Sequence, residues 1–289
     1  MTKRNPDHIL LLGGTGLLGG HLTVSMRNKG CKITTVARSQ ADINIDLSNN
    51  LKFEQILNEV CPTVIINCAA LTDVDYCQAH ILEALQFNAF PNIVITEYCK
   101  NNKNSKFVFI STDHVYNNHL KNGEDNIDLV NSYGYSKRAG EEIALRHSSM
   151  VLRVNFFGDT ISGGSKGLFG WIKNNALNHK KIRGLTDVYF SPLTVQNLSE
   201  QIQISLDNYT PGIYNIGASD GISKYEFCKY IYRLMGEDTS LVFPTRQEDL
   251  HFEAKRPSYM VMDVSKYERL TKQNLSSVTQ QIDELFKIG

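Results

Sequence analysis

The chain has 289 residues, with 30 lysines and arginines balancing 30 aspartates and glutamates, so its formal net charge is zero. With no block of like charge, nothing in the composition points to nucleic acid or a charged membrane surface as a partner. No apolar run is long enough to span a bilayer, and the length suits one large domain, or one domain with a smaller lobe.

Met1 to Pro6 lacks the apolar middle of a signal peptide. The six cysteines, Cys31, Cys61, Cys68, Cys77, Cys99 and Cys228, form no Cys-x-x-Cys pair and no zinc-ligand spacing. These features predict a protein of the reducing cytoplasm without disulfides or a metal site.

His8 to Leu12 is an apolar run that enters Gly13-Gly14-Thr15-Gly16-Leu17-Leu18-Gly19 and then a helical pattern. A strand feeding a glycine cluster that opens a helix is the entrance to a dinucleotide-binding βαβ unit. The spacing here is Gly-x-x-Gly-x-x-Gly. Gly13 permits the tight turn, Gly16 lets the backbone approach a pyrophosphate, and Gly19 lets the helix pack close to the strand. Free N–H groups at the helix start then face the phosphates. The helix is predicted from Thr15 to Lys29, stopping at Gly30. Lys32 to Val36 reads as the second strand, with Arg38 just beyond it. An arginine at that position accommodates a 2′-phosphate, which favours NADPH over NADH.

A helix follows from Leu51 to Val60, then an all-apolar strand from Pro62 to Asn67 of the buried parallel type. That strand ends in Cys68-Ala69-Ala70, small residues at the carboxyl edge where ligands sit in such sheets. Ile81 to Asn101 reads as mainly helical, interrupted or bent near Pro91. Lys106 to Ile110 is a fourth strand running into Ser111-Thr112-Asp113-His114. Asn131-Ser132 are good caps for a helix, and Met150 to Asn155 is a fifth strand. The β-α alternation predicts a doubly wound parallel sheet, Rossmann-like, in the α/β class.

Beyond Phe157-Gly158 the pattern loosens. A turn at 162–165 precedes a helix from Leu168 to Asn178, and Ser191 to Thr194 introduces another, to about Leu206. Ile213 to Ile216 is a short strand, Ser223-x-x-Glu226 is a capping box for a helix from Tyr225 to Met235, and a last helix runs from about Ser276 to Lys287. The expected organisation is a nucleotide-binding unit over 1–155 plus about 187–210, and a smaller C-terminal substrate-binding lobe over about 156–186 and 211–289.

Tyr133 and Lys137, four residues apart on a predicted helix, share a face. An ammonium beside a phenol stabilises phenolate and lowers the tyrosine pKa, which makes Tyr133 a usable acid or base near neutrality. The hydroxyl pair Ser111-Thr112 at the end of the fourth strand completes the set.

On these residues the chain resembles the extended short-chain dehydrogenase/reductase family, and within it the dTDP-4-dehydrorhamnose reductase group of sugar-nucleotide reductases. The likeness spans nearly the whole chain. It is carried by Gly13 to Gly19, Asp46-Leu47, Pro62 to Asp75, Asn88-Ala89, Ser111 to Tyr116, Tyr133 to Glu141, Arg153, Ser191-Pro192, Gly212 to Tyr214, Arg256-Pro257 and Asp263 to Lys266. It implies NAD(P)H-dependent reduction of the 4-keto group of a nucleotide-linked deoxysugar, for surface polysaccharide or deoxysugar biosynthesis, with NADPH preferred, NADH as the alternative, and a homodimer left open. Thr112 would bond the substrate carbonyl, Tyr133 would protonate the oxygen, and Lys137 would hold the nicotinamide ribose. Gly13, Thr15, Gly16, Leu17, Leu18 and Gly19 would surround the pyrophosphate. Arg38, Asp46 and Leu47 would border the adenosine, and Cys68, Ala69, Ala70, Asn88 and Ser111 the nicotinamide side. Thr72, Val74, Asp75, Asp113, His114, Asn155, Phe156 and Arg256 would join Thr112 around the substrate.

Two stretches depart from that group. Val154-Asn155-Phe156-Phe157 stands where the rhamnose-forming enzymes carry a tryptophan after the arginine. Tyr76-Cys77-Gln78 replaces acids that bind a metal at a dimer interface in some relatives. Fold alone does not fix function. The rivals are a non-catalytic NADP-binding regulatory subunit resembling the methionine adenosyltransferase β-subunit, and a nucleotide-sugar epimerase or dehydratase that recycles NAD. Gly217-Ala218-Ser219-Asp220-Gly221 also matches the hydrolase Gly-x-Ser-x-Gly elbow, which requires a sharp strand-to-helix turn. Phe169 and Trp171 read as core of the lobe.

Overall fold

In the computed structural model, which describes residues 8–164 and 167–288, seven parallel strands form the main sheet. They are β1 (His8–Leu12), β2 (Lys32–Ala37), β3 (Ile43–Asn44), β4 (Val64–Asn67), β5 (Lys106–Thr112), β6 (Met150–Val154) and β7 (Gly212–Ile216), in the order β7-β6-β5-β4-β1-β2-β3. The order reverses between β1 and β4, where Leu12 lies opposite Asn67. A crevice opens beyond the carboxyl ends of strands at such a reversal, and ligands of open α/β sheets bind there.

The central strands are apolar on both faces because helices cover both. Leu10, Leu12 and Ile65 point to one side, with Phe53 of α2 (Asn50–Val60) and Ile95 of α5 (Pro91–Asn101). Ile9, Leu11 and Ile66 point to the other, with Leu22 and Met26 of α1 (Leu17–Asn28) and Leu198 and Ile202 of α8 (Val195–Asp207). This is the two-residue alternation of a strand buried twice.

The second core continues without a break into the C-terminal part of the chain. Phe157 stacks its ring centre 5.5 Å from Phe169 of α7 (Gly167–Leu177) and 5.1 Å from Phe227 of α9 (Lys224–Leu234). Short strands Ile182–Leu185 and Val242–Thr245 pair in parallel beside them. Two short helices, α10 (Ser265–Thr271) and α11 (Val278–Ile288), complete the chain.

Three readings change. The strand Gly212–Ile216, assigned to the lobe, is the outermost strand of the main sheet, paired in register with Met150–Val154. A five-residue apolar run does not say which sheet it joins. Of the two forms expected for the helical stretch after residue 80, the interrupted one is present: α4 (Ile81–Asn88) ends before Pro91, and the proline occupies the first turn of a new helix, α5, where its missing N–H costs nothing. A short helix α3 (Val74–Ala79), capped by Asp73, precedes both. Trp171 is 44% exposed, whereas Phe169 is core, as expected. Ser165, in the expected turn, and Met1 to Pro6 lie outside the described residues.

Candidate active site

The glycine turn is built as its spacing demands. Gly13 has φ +78° and donates its N–H to Val36 O at 2.8 Å, and a Cβ there would come within 2.8 Å of Ala69 N. A Cβ on Gly19 would collide with the carbonyl oxygen of Gly13, so this glycine seats the helix against the turn itself, not against the strand body. Gly16 caps α1 without a side chain, and no acid sits in the first helical turn. The first N–H groups of the helix are therefore left for an anion. These features fit the diphosphate of a dinucleotide.

A groove runs from this turn in two joined chambers. The outer one, about 280 Å³, lies between Thr15 and Gly16 on one wall and Arg38, Ile45, Leu47 and Ala69 on the other. Arg38 is exposed at its rim, and no carboxylate among the described residues pairs with it. Asp46 turns away: its carboxylate accepts the N–H of Ser48 at 2.9 Å, while its neighbours Ile45 and Leu47 face the groove.

The inner chamber, about 500 Å³, is lined by Leu17, Leu18 and Gly19 on the turn side and by Cys68, Ala70 and Thr72 on the β4 side. Ser111, His114, Tyr133, Lys137, Asn155, Phe156 and Lys224 also line it, together with apolar side chains that include Phe157, Phe190 and Phe227. Tyr133 and Lys137 come from α6 (Ser132–Ala144), whose start is held by Asn131 Oδ1, accepting from Gly134 N at 2.9 Å, and by Gln78 Oε1, accepting from Ser132 N at 3.0 Å. Lys137 is 2% exposed; its Nζ donates to Ile110 O at 2.7 Å and lies 4.2 Å from the centre of the Phe109 ring. Burial pushes Lys137 down to about 8, against the pull of Glu141 and Cys68.

The phenol of Tyr133 behaves differently from expectation. Its burial raises its pKa well above the ordinary value, outweighing the Thr112 hydroxyl beside it, and Asp113 adds to the rise. Desolvation penalises the phenolate more than a lysine committed to a carbonyl can favour it. The protein thus holds Tyr133 as a neutral phenol, the state that can give a proton.

Thr112 and Asp113 stand just behind the chamber wall. The Thr112 hydroxyl accepts from His114 N at 3.2 Å and lies 3.3 Å from Asp113 Oδ1. Asp113 is buried and accepts from Asn155 Nδ2 at 2.5 Å; burial lifts its carboxyl to about 7, against Asn155 and Lys224. The His114 ring meets Tyr133 edge-on at 5.3 Å, and burial with Lys224 and Arg256 nearby holds it neutral, at about 3.

Other expected contacts turn out to be braces. Asp75 and Arg256 pair with each other at 2.7 Å, and Asp75 also accepts from Ala254 N, tying α3 to the C-terminal segment. Val74 packs in the small apolar cluster that includes Tyr133. Asn88 bonds both backbone groups of Leu71 and the Ser136 hydroxyl, joining the loop after β4 to α6. The Ser111 hydroxyl donates to Glu141 Oε1 at 2.5 Å. Glu141, fully buried, also takes Arg153 Nε at 2.9 Å, Arg153 NH2 at 2.7 Å and Arg138 NH1 at 2.7 Å. Arg153 reaches on to Tyr116 and Glu124 O.

Sequence reasoning missed Gln78, Ile45 and Lys224. Only Lys224 left a signal, a cation in the first turn of a helix, where the dipole disfavours it. The hydrolase elbow is absent: Ser219 lies in a bend whose N–H bonds Ser276 O, and α9 starts later, capped by Ser223.

A reversed Rossmann sheet whose switch point holds a glycine turn, a Tyr-x-x-x-Lys helix and a Ser-Thr strand end defines an extended short-chain dehydrogenase/reductase. The chain belongs to the RmlD substrate binding domain family, whose profile matches residues 7–288. It is similar to the spore coat polysaccharide biosynthesis protein SpsK of Bacillus subtilis, with 28% identity over 88% of each chain. It is 25% identical to the dTDP-4-dehydrorhamnose reductase of Mycobacterium tuberculosis, covering 89% of this chain and 84% of that one. In fold it matches the dTDP-4-dehydrorhamnose reductase of Bacillus anthracis solved in complex with NADP, with TM-score 0.89, 23% identity and coverage of 99% and 100%. No helix among the described residues is long and apolar enough to cross a membrane, and all six cysteines are free.

Proposed function

We propose that this protein is an NADPH-preferring reductase of the 4-keto group of a nucleotide-linked deoxysugar, serving polysaccharide or deoxysugar biosynthesis. The observation that carries this reading is one chamber in which a buried, neutral phenol and a buried lysine face the glycine turn. The similarity to reductases of this kind supports it.

The Gly13–Gly19 turn would hold the diphosphate, Arg38 a 2′-phosphate, and Lys137 the ribose next to the nicotinamide. A bound reduced nicotinamide supplies the hydride. Tyr133 polarises the carbonyl oxygen and gives its proton to it as negative charge develops there, while the Thr112 hydroxyl stands behind the wall beside the phenol. A phenol whose pKa is raised by burial arrives at this step protonated. His114, Asn155 and Phe156 line the same chamber and would keep the reacting carbon aligned.

The test is to mix the protein with NADPH or NADH and a panel of nucleotide-4-keto sugars and follow loss of reduced nicotinamide. Oxidation with at least one member is expected; tight NADPH binding with no oxidation across the panel would move the assignment to a regulatory subunit. Replacing Arg38 with Ala should raise the KM for NADPH ~10- to 100-fold, the worth of a charge-assisted contact, and leave NADH unchanged. Equal effects on both cofactors would place the arginine away from the 2′-phosphate. The rate constant kcat/KM for NADPH should fall as pH rises through about 8, where Lys137 gives up its proton. A flat profile across that interval would remove Lys137 from cofactor binding.

A further inference from the structure

Lys224 is the first residue of α9 and takes no part in the roles derived above. Its backbone is fixed: the N–H donates to Val188 O at 2.9 Å, and the preceding Ser223 caps the helix through Glu226 N at 3.1 Å. Its side chain lines the inner chamber, as do those of Tyr133, His114 and Asn155. Among the described residues the ammonium has no hydrogen-bond or ion-pair partner, unlike Lys137, which is bound to Ile110 O.

The influences on this cation are mixed, and the largest of them, burial, is unfavourable. Burial lowers its pKa, Arg256 repels it, and the helix start it occupies is the positive end of the dipole. Asp113 attracts it, but that carboxyl is already engaged by Asn155 and lies beyond ion-pair distance. A second polar atom of the same wall is also unpaired: His114 Nδ1 is buried without a partner. Arg256 stands near both and is held by Asp75. A wall with an unpaired ammonium, a second cation behind it and an unpaired imidazole nitrogen is suited to an oxyanion. Unpaired half-buried charges persist at a cost to folding.

We propose that Lys224 is the substrate-reading residue of this chamber, its ammonium binding a phosphate oxygen of the nucleoside diphosphate portion of a nucleotide sugar. The assignment rests on the reductase reading for the identity of the substrate, while the binding it describes is measured without turnover.

The experiment compares wild type, Lys224→Met and Lys224→Arg, each saturated with NADP, by titration calorimetry with dTDP and with UDP, and records the melting temperature of each free protein. Wild type should bind at least one of the two diphosphates. Lys224→Met should weaken that binding ~10- to 100-fold, Lys224→Arg should restore most of it, and the methionine variant should melt no lower than wild type because an unpaired charge has been removed. Unchanged diphosphate affinity in the methionine variant overturns the proposal, and so does failure of wild type to bind either probe. A raised KM for a keto sugar with unchanged diphosphate affinity also overturns it, placing the lysine on the sugar. A methionine variant that melts well below wild type overturns it too, by giving the ammonium a structural partner. Diphosphate binding that depends on Lys224 in a protein that oxidises NADPH with no keto sugar would sink the reductase reading alone.

Discussion

Replacing Tyr133 with Phe should lower kcat about 1000-fold, within the range that a positioned general acid contributes, while NADPH still binds. The hydroxyl is the only part removed. The edge-on contact of the ring with His114, with centres 5.3 Å apart, and its packing against Val74 and Leu71 do not use it. The glycine turn and Lys137 reach the cofactor independently of the phenol. Because burial holds the phenol protonated, it is the proton donor the reduction direction requires. Stopped-flow measurement of nicotinamide oxidation, beside fluorescence titration with NADPH, separates chemistry from binding. Turnover near the wild-type rate in the variant would mean that water or another group supplies the proton, and the mechanism would be wrong.

Glu141→Gln should destabilise the fold by about 3–5 kcal/mol, the usual penalty for leaving a buried charge without its partner. The carboxylate collects four donors from three elements: Ser111 of β5, Arg138 of its own helix, and Arg153 of β6 twice. Arg153 is fully buried and has no other carboxylate partner among the described residues. Urea unfolding of Glu141→Gln beside Glu141→Gln/Arg153→Met tests this, since the double variant removes both charges and should recover much of the loss. A single variant within about 1 kcal/mol of wild type would show that Arg153 does not depend on this carboxylate.

The same pair sets an acid limit. Burial raises the Glu141 pKa, but the donors from Arg153, Ser111 and Arg138 outweigh it and hold the group below its ordinary value. A depressed folded-state pKa contributes stability that is complete above the unfolded value and lost as pH falls through the folded one. Wild type should therefore lose more stability on acidification than the double variant does. The clamp also bears on function, because it joins the end of the strand bearing Thr112 to the helix bearing Tyr133 and Lys137.

The glycine turn, the strand-helix alternation and the Tyr133–Lys137 spacing were legible in the sequence because each is a local pattern. A tight turn needs glycine within a few residues, a twice-buried strand needs a continuous apolar run, and two side chains four apart share a helix face. The family resemblance rested on the same short segments.

What the tertiary structure decided are the pairings between distant residues and the burial of single groups. Asp75 and Arg256 were both expected at the substrate, yet each is the other's partner across the fold. Gly212–Ile216 joined the main sheet because β6 offered it an open edge, which its own five residues do not encode. The sign of the Tyr133 shift reversed for the same kind of reason. The spacing brings an ammonium into the neighbourhood, but whether the phenol is lowered or raised depends on how much water the folded chamber excludes. Local geometry is written residue by residue along the chain. Desolvation and long-range charge pairing exist only once the chain has closed around the site.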